Sequence, residues 1–348
     1  MSNKNLFSWR DAILNDAATI EDVIKNLEFT GLQVCLIASM ENYLIGIIVD
    51  ADIRKGLLKG ITLSSKASEI MVTKPIVLNE DSDKDVAIDI MQKNGINHVP
   101  VLDKNGRVVN LFSRVFEEEV EKKDNLFVIM AGGFGTRLAP YTNTCPKPML
   151  PVNGKPMMRH IIDNAISEGF QNFVISVFYL SEVVKDYFGD GSSLNINITY
   201  IQEESPLGTA GALSIINPKP KLPFIVTNGD VMTNIKYSDV LNYHKEKNAE
   251  ATMVIRRHEI QNPFGVVVLE GVDIKNFEEK PIYQSNVNAG IYALNFTSLD
   301  LLKDDEFCNM PTLFNRISSL NKSIIAFPMY ENWMDVGNPK DFETINKS

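Results

Sequence analysis

The sequence predicts an α/β chain in two parts: a smaller α+β domain over residues 1–120, then a doubly wound, mostly parallel mixed sheet over residues 121–348. Three observations carry this expectation. Residues 20–57 can be laid over 84–121, superposing Leu27 on Met91, Gly31 on Gly95, Cys35 on Val99 and Ile37 on Val101. Each copy reads as helix, glycine turn and two short strands. From Phe127 onward, short apolar runs alternate with helical patterns, as in parallel strands joined by crossover helices. A glycine-rich loop follows the first of those runs, at the strand end where open α/β sheets place ligands.

Composition narrows the classes. The chain has 348 residues, 44% of them hydrophobic and 22% charged, which suits a water-soluble chain with sizeable cores. Its net charge of −10 argues against nucleic acid or an anionic membrane as the main partner, so any phosphate site must be a local concentration of cations. The 3 cysteines, Cys35, Cys145 and Cys308, lack metal-ligand spacing and read as buried thiols of a reducing compartment. Met1-Ser-Asn-Lys-Asn5 leads into no apolar leader and no run is long enough to span a bilayer, so a cytoplasmic protein is expected. The 4 histidines, His98, His160, His244 and His258, form neither ligand spacing nor a triad and read as core or surface residues.

In chain order, Ile45-Gly-Ile-Ile-Val49 reads as a strand and the segment from Asp50 to Leu58 as the helix closing the first repeat. The charged stretch 117–125 reads as a linker or an exposed helix end. Strands are then expected at 126–131, 173–177, 198–202 and 224–227, with helices at 159–168 and 237–247. Closer-spaced strands at 252–255, 265–270, 288–294 and 324–327 make the sheet mixed, and a last helix starts at Pro339.

Met130-Ala-Gly-Gly-Phe-Gly-Thr-Arg-Leu138 places glycines for backbone contact with phosphates beside a cation. A side chain at those positions would hold a phosphate away from the backbone donors. Leu138 stands where a dinucleotide fingerprint needs a third glycine, and no Gly-Lys-Ser/Thr of a Walker loop follows. In Pro146-Lys-Pro148, prolines on both sides of Lys147 restrict the backbone and aim its amine. Asn228-Gly-Asp230 and Trp333-Met-Asp-Val-Gly337 each put an aspartate just after a strand. If the two ends converge, Asp230 and Asp335 form a hard-oxygen site that Mg2+ can share with substrate phosphates.

These segments, with Pro206-Leu-Gly-Thr-Ala-Gly211, Phe264-Gly-Val266, Glu278-Glu-Lys-Pro281 and Asn288-Ala-Gly290, resemble the ordered motifs of sugar-1-phosphate nucleotidyltransferases across residues 126–348. The resemblance implies a Rossmann-like sheet and the reaction of an NTP with a sugar 1-phosphate to give an NDP-sugar and pyrophosphate, with magnesium. The sugar phosphate oxygen attacks the α-phosphorus in line while pyrophosphate leaves, so alignment and charge neutralisation dominate. On this reading Arg137 grips the departing phosphates, Lys147 sits between the reacting groups, Lys280 holds the sugar phosphate, and Asp230 and Asp335 hold the metal. Ala131, Gly132, Gly133, Gly135, Thr136, Gly208 and Thr209 surround the nucleotide, while Gly265, Glu279, Lys280 and Asn288 face the sugar. Glu203 is the expected base reader: a carboxylate accepts from guanine N1–H and its exocyclic amine, whereas uracil and thymine would turn carbonyls towards it. Adjacent Glu204 is the alternative inward residue.

The N-terminal repeat resembles a CBS pair over residues 8–116, a fold that commonly binds an adenine nucleotide. Asp52 stands at a ribose-aspartate position whose hydroxyl partner is Val49, and Ser113 at a hydroxyl position whose aspartate partner is Phe116, so a dimerising or packing module competes with a ligand site. Asp52 equally suits a helix start. A CBS pair ahead of this catalytic domain resembles the bacterial glucosamine-1-phosphate guanylyltransferases of legionaminic acid synthesis, which implies GTP and glucosamine 1-phosphate as substrates and a homodimer or higher homo-oligomer. Mannose-1-phosphate guanylyltransferase and glucose-1-phosphate uridylyltransferase are the enzyme alternatives, and a non-catalytic nucleotide-sensing scaffold is the alternative of another class.

Overall fold

A computed structural model describes residues 8–113 and 121–335, together with 337 and 342. Phe116, the helix start at Pro339 and residues 117–120 of the charged stretch lie outside the described residues, and Asp335 is described as a backbone position. The chain divides into two compact units, Met1–Glu119 and Val120–Ser348.

The first unit runs β1 (Ile13–Asn15), α1 (Ile20–Thr30), β2 (Val34–Ala38), β3 (Leu44–Val49), α2 (Asp50–Leu58), β4 (Leu78–Asn79), α3 (Lys84–Asn94), β5 (His98–Leu102) and β6 (Val108–Ser113). Its two three-stranded sheets, β1-β2-β3 and β4-β5-β6, share one plan, a parallel first pair followed by an antiparallel hairpin. The repeat is therefore structural. Helices α1 and α3 both open on a side-chain cap, Thr19 accepting from the Asp22 N–H and Asp83 from the Val86 N–H. Both close on a left-handed glycine, Gly31 at φ 65° and Gly95 at φ 64°, where a side chain would be strained. The two hairpin turns meet, with the Val108 N–H donating to the Asn42 carbonyl at 2.9 Å. Cys35 is fully buried and its thiol is pushed up to about 12, which keeps it protonated and inert.

His98 is buried at the start of β5, its Nδ1 3.0 Å from Ser113 Oγ, and burial pushes its pKa down to about 4. Between that value and about 6.5 the unfolded chain binds a proton that the folded unit refuses, so stability falls as pH drops through this window. The first unit is expected to lose up to about 3 kcal/mol between pH 7 and pH 4 from this residue. Thermal unfolding across that range should show a slope that His98→Gln removes; an unchanged slope would exonerate the histidine.

The second unit runs β7 (Lys123–Met130), β8 (Pro151–Val152), β9 (Lys155–Pro156), α4 (Met157–Ser167), β10 (Phe170–Val177), α5 (Ser181–Phe188), β11 (Asn197–Gln202), α6 (Gly208–Gly211), β12 (Phe224–Asn228), β13 (Val231–Thr233), α7 (Tyr237–Glu246), β14 (Ala251–Gln261), β15 (Val266–Glu270), β16 (Asp273–Glu278), β17 (Ile282–Leu294), α8 (Met310–Ser319), β18 (Ile324–Met329) and β19 (Trp333–Asp335). Seven strands form the main sheet in the order β11-β10-β7-β12-β17-β14-β18. β11, β10, β7 and β12 are mutually parallel, whereas β17 runs antiparallel to β12 and β14. In chain order the first four parallel strands lie 3-2-1-4, the Rossmann arrangement, so the order reverses between β7 and β12 and opens a crevice at their carboxyl ends.

Burial explains why β7 reads as a continuous apolar run. Phe127 and Ile129 enter the core on one face, with the Phe127 ring 4.8 Å from that of Tyr237, while Val128 and Met130 enter the core on the other. Two expectations shift. Lys123, Asp124 and Asn125 belong to β7 and not to a linker. β15 leaves the main sheet and, among the described residues, pairs only with β16; both strands are largely exposed, because the chain returns at once along the neighbouring segment instead of crossing the core. Among the described residues no helix is long and apolar enough to cross a membrane.

Candidate active site

The crevice is built from the ends of β7 and β12. The Gly229 N–H donates to the Met130 carbonyl at 2.9 Å, tying the two strand ends together. A Cβ at Gly229 would lie 3.0 Å from Pro148 Cγ, so this glycine lets the Pro146-Lys147-Pro148 segment press against the strand end. That approach delivers the buried Lys147 to Asp230, and its ammonium donates to Asp230 Oδ2. The ion pair is largely withdrawn from water, with the Lys147 side chain 10% and the Asp230 side chain 23% exposed. β13 then pairs antiparallel with β19, setting Val231 opposite Asp335, so the backbone brings Asp335 to the neighbourhood of Asp230.

The glycines of the loop do separate jobs. A Cβ at Gly132 would lie 2.3 Å from Glu203 Oε1, whereas nothing lies within 4 Å of one at Gly133. Gly135 is left-handed at φ 65°, and a Cβ there would meet Thr142 Cγ2 at 2.9 Å and Lys147 Cβ at 3.1 Å. Ala131 is buried, and its N–H donates to the Ser176 carbonyl at 2.9 Å. Thr136 and Arg137 are exposed in a single 3-10 turn, Thr136–Leu138, instead of opening an α-helix as in dinucleotide-binding folds. Open space is thus at Gly133; protein atoms approach Gly132 and Gly135.

Glu203 is the inward residue of its pair, 4% exposed, while Glu204 is exposed. Its Oε1 accepts from Ser176 Oγ at 2.7 Å and its Oε2 from the Leu207 N–H at 2.9 Å. Each oxygen keeps one lone pair. Glu203 therefore pins the loop 203–207 to the end of β10. A Cβ at Gly208, φ 78°, would meet the Cys308 carbonyl oxygen at 2.7 Å. Thr209 Oγ1 accepts from the Met310 N–H at 2.8 Å, so these two residues fasten α6 to the start of α8.

On the far side, a Cβ at Gly265 would lie 3.2 Å from Glu279 Oε2. Lys280 adopts φ 46° and its Nζ lies 4.0 Å from Glu279 Oε1, both side chains being exposed. Asn288 Nδ2 donates to the Tyr292 hydroxyl at 2.7 Å and its Oδ1 accepts from the Gly290 N–H at 3.0 Å. Asp52 and Ser113 belong to the first unit. Asp52 Oδ2 accepts from the Val49 N–H at 3.1 Å, as a helix-start residue does, and burial raises its carboxyl against that hydrogen bond. Ser113 is turned to His98.

Several supporting residues escape motif reading. Ser176, a buried polar residue near the carboxyl end of β10, holds Glu203. Arg256 donates to the Trp333 carbonyl at 3.1 Å, and Trp333 Nε1 donates to the Ala289 carbonyl at 2.9 Å, which together seat β19 beside β13. A cation placed in the middle of a long strand was the available signal for Arg256.

The sequence profile of the nucleotidyl transferase family matches residues 126–348, and that of the CBS domain matches residues 67–115. Among curated proteins, a mannose-1-phosphate guanyltransferase of Yarrowia lipolytica is 36% identical over 226 residues, covering 62% of this chain and 61% of that protein. Another, of Schizosaccharomyces pombe, is 37% identical over 227 residues, covering 62% of each. A probable mannose-1-phosphate guanylyltransferase of Oryza sativa subsp. japonica matches similarly, at 37% over 226 residues and 62% of each chain. The chain thus spans about three-fifths of the length of these relatives. A crystal structure of a proposed glucose-1-phosphate thymidylyltransferase from Bacillus anthracis, in complex with sucrose, superposes with a TM-score of 0.52 at 22% identity over 64% of this chain and 94% of that one, a likeness of fold. With the crevice at the β7–β12 switch point and a profile match over nearly all of the second unit, this chain belongs to the nucleotidyl transferase family.

Proposed function

We propose that the second unit transfers a nucleoside monophosphate from an NTP to a sugar 1-phosphate and releases pyrophosphate, with GTP as the nucleotide. The observation that carries this reading is the Lys147–Asp230 pair at the sheet's switch point, beside the open backbone of Gly133. A buried ammonium on a fixed segment is preorganised to neutralise charge that develops on a reacting phosphate. Arg137, exposed on the loop, is assigned to the outer phosphates, and the exposed Lys280 and Glu279 to the sugar phosphate and a sugar substituent. A purely nucleotide-sensing scaffold would have no use for this paired cation and carboxylate.

The donors present fit a magnesium ion. Among the described residues no three His, Cys, Asp or Glu side chains cluster as a protein-only metal cage. The β13–β19 pairing brings the backbone of Asp335 near that of Asp230, and two carboxylates with phosphate oxygens and water in the remaining positions would suit this hard cation. Asp230 and Asp335 would hold it, and when bound it would supply charge neutralisation shared by the attacking and leaving oxygens.

Guanine is supported by the guanylyltransferase relatives and by the free lone pair on each Glu203 oxygen. Glu203→Gln keeps an acceptor for the Leu207 N–H but halves what faces the base. It is expected to lower kcat/KM for GTP by about tenfold or more relative to UTP and dTTP, consistent with loss of one charged hydrogen bond; an unaltered preference in a nucleotide panel would remove Glu203 from base reading. For the sugar, glucosamine 1-phosphate is our leading assignment, supported by the CBS match ahead of the catalytic unit and by the exposed Glu279 carboxylate, able to meet an ammonium. Mannose 1-phosphate is the second reading, favoured by the names of the relatives. Pyrophosphate release with Mg2+ across GTP, UTP, CTP, dTTP and ATP, each with glucosamine, mannose, glucose or N-acetylglucosamine 1-phosphate, decides both: turnover confined to GTP with glucosamine 1-phosphate supports the assignment, another pair replaces it, and none in any pair overturns the activity.

A further inference from the structure

We propose that Lys147 and the divalent metal compete for the Asp230 carboxylate, so that the metal binds tightly only when a triphosphate is present to take the ammonium. The inference rests on the reading of Asp230 as a metal ligand. The Lys147 ammonium donates to Asp230 Oδ2 inside a pair largely shielded from solvent. Its stem has little freedom: Pro146 and Pro148 flank it, Pro148 is pressed on Gly229, and its Cβ stands close to Gly135. The ammonium therefore stays within reach of Asp230 unless another anion draws its flexible end away. A divalent ion arriving at the same carboxylate would meet a fixed cation a few ångströms off, in surroundings that screen poorly. A triphosphate on the Gly133 side of the loop adds anionic oxygens within the same pocket, gives Lys147 a new partner and at the same time contributes ligands to the metal. Metal and nucleotide are thus expected to enter as one unit, which protects the carboxylates from occupation by cations alone.

Mn2+ titrations of the full chain, read by electron paramagnetic resonance in the absence of nucleotide, test this. Lys147→Gln and Lys147→Met should each tighten Mn2+ binding by roughly tenfold or more, the size of one charge-assisted hydrogen bond. Lys147→Arg, which keeps a cation, should bind as the unaltered protein does, and Asp230→Asn in the Lys147→Gln background should erase the gain. Thermal unfolding reports whether each variant is folded. Neutral variants that bind Mn2+ no more tightly than the unaltered protein overturn the competition, and so does an unaltered protein whose Mn2+ affinity is the same with and without saturating GTP, a measurement that needs no variant. If Asp230→Asn leaves Mn2+ binding to the GTP-loaded protein untouched, it is the metal-ligand reading itself that fails.

Discussion

Asp230→Asn is expected to reduce turnover on the order of a thousandfold, because on the proposed reading one substitution takes the charge from a metal ligand and from the partner that aims Lys147. The fold should survive. Asparagine keeps an oxygen to accept from the ammonium, but the buried lysine loses its countercharge, at a cost of about 1–2 kcal/mol against the larger penalty of leaving such a charge with no partner at all. For a unit of this size that is a fall of several degrees in Tm. Pyrophosphate release beside a thermal melt checks both parts. Activity within tenfold of the unaltered protein would refute the proposed role of Asp230, and outright unfolding would show that the pair is chiefly structural.

The second large effect concerns the glycine loop. Gly132→Ala inserts a methyl group 2.3 Å from Glu203 Oε1, which is itself buried and held by Ser176 and Leu207. Neither side can yield cheaply, so the variant is expected to lose about 1–3 kcal/mol of stability. Displacing Glu203 also frees the loop 203–207, and KM for GTP should rise at least tenfold. Gly133→Ala points into open space and should leave Tm unchanged while raising KM, because the new methyl would occupy the space proposed for phosphate. Adding Glu203→Ala to Gly132→Ala should recover part of the lost Tm, a non-additivity that marks direct contact. Equal Tm values for the two alanine variants would dismiss the steric account of Gly132.

Much of the site was readable from residue types. Lys147 between two prolines announced a fixed amine, and Asn228-Gly229-Asp230 after an apolar run announced a carboxylate at a strand end, since both signals are local. The meaning of the glycines was not local. Glycine at 132 and 208 reads as backbone open to a nucleotide, yet the atoms that would collide with a side chain there belong to Glu203 and Cys308, distant in sequence. Thr209 was expected at the nucleotide, and its hydroxyl is seen serving the start of α8.

By itself the sequence determined the internal repeat, the alternation that makes a doubly wound sheet, and the side chains capable of phosphate chemistry, because strand and helix periodicity and turn chemistry are written into neighbouring residues. Tertiary structure decided the strand order that places β7 beside β12, the pairing of β13 with β19 that brings Asp335 towards Asp230, the departure of β15 from the main sheet, and the contact of Lys147 with Asp230. Those features depend on which surfaces pack together after collapse. Close packing and the need to partner every buried polar group select among arrangements that the local patterns leave equally open.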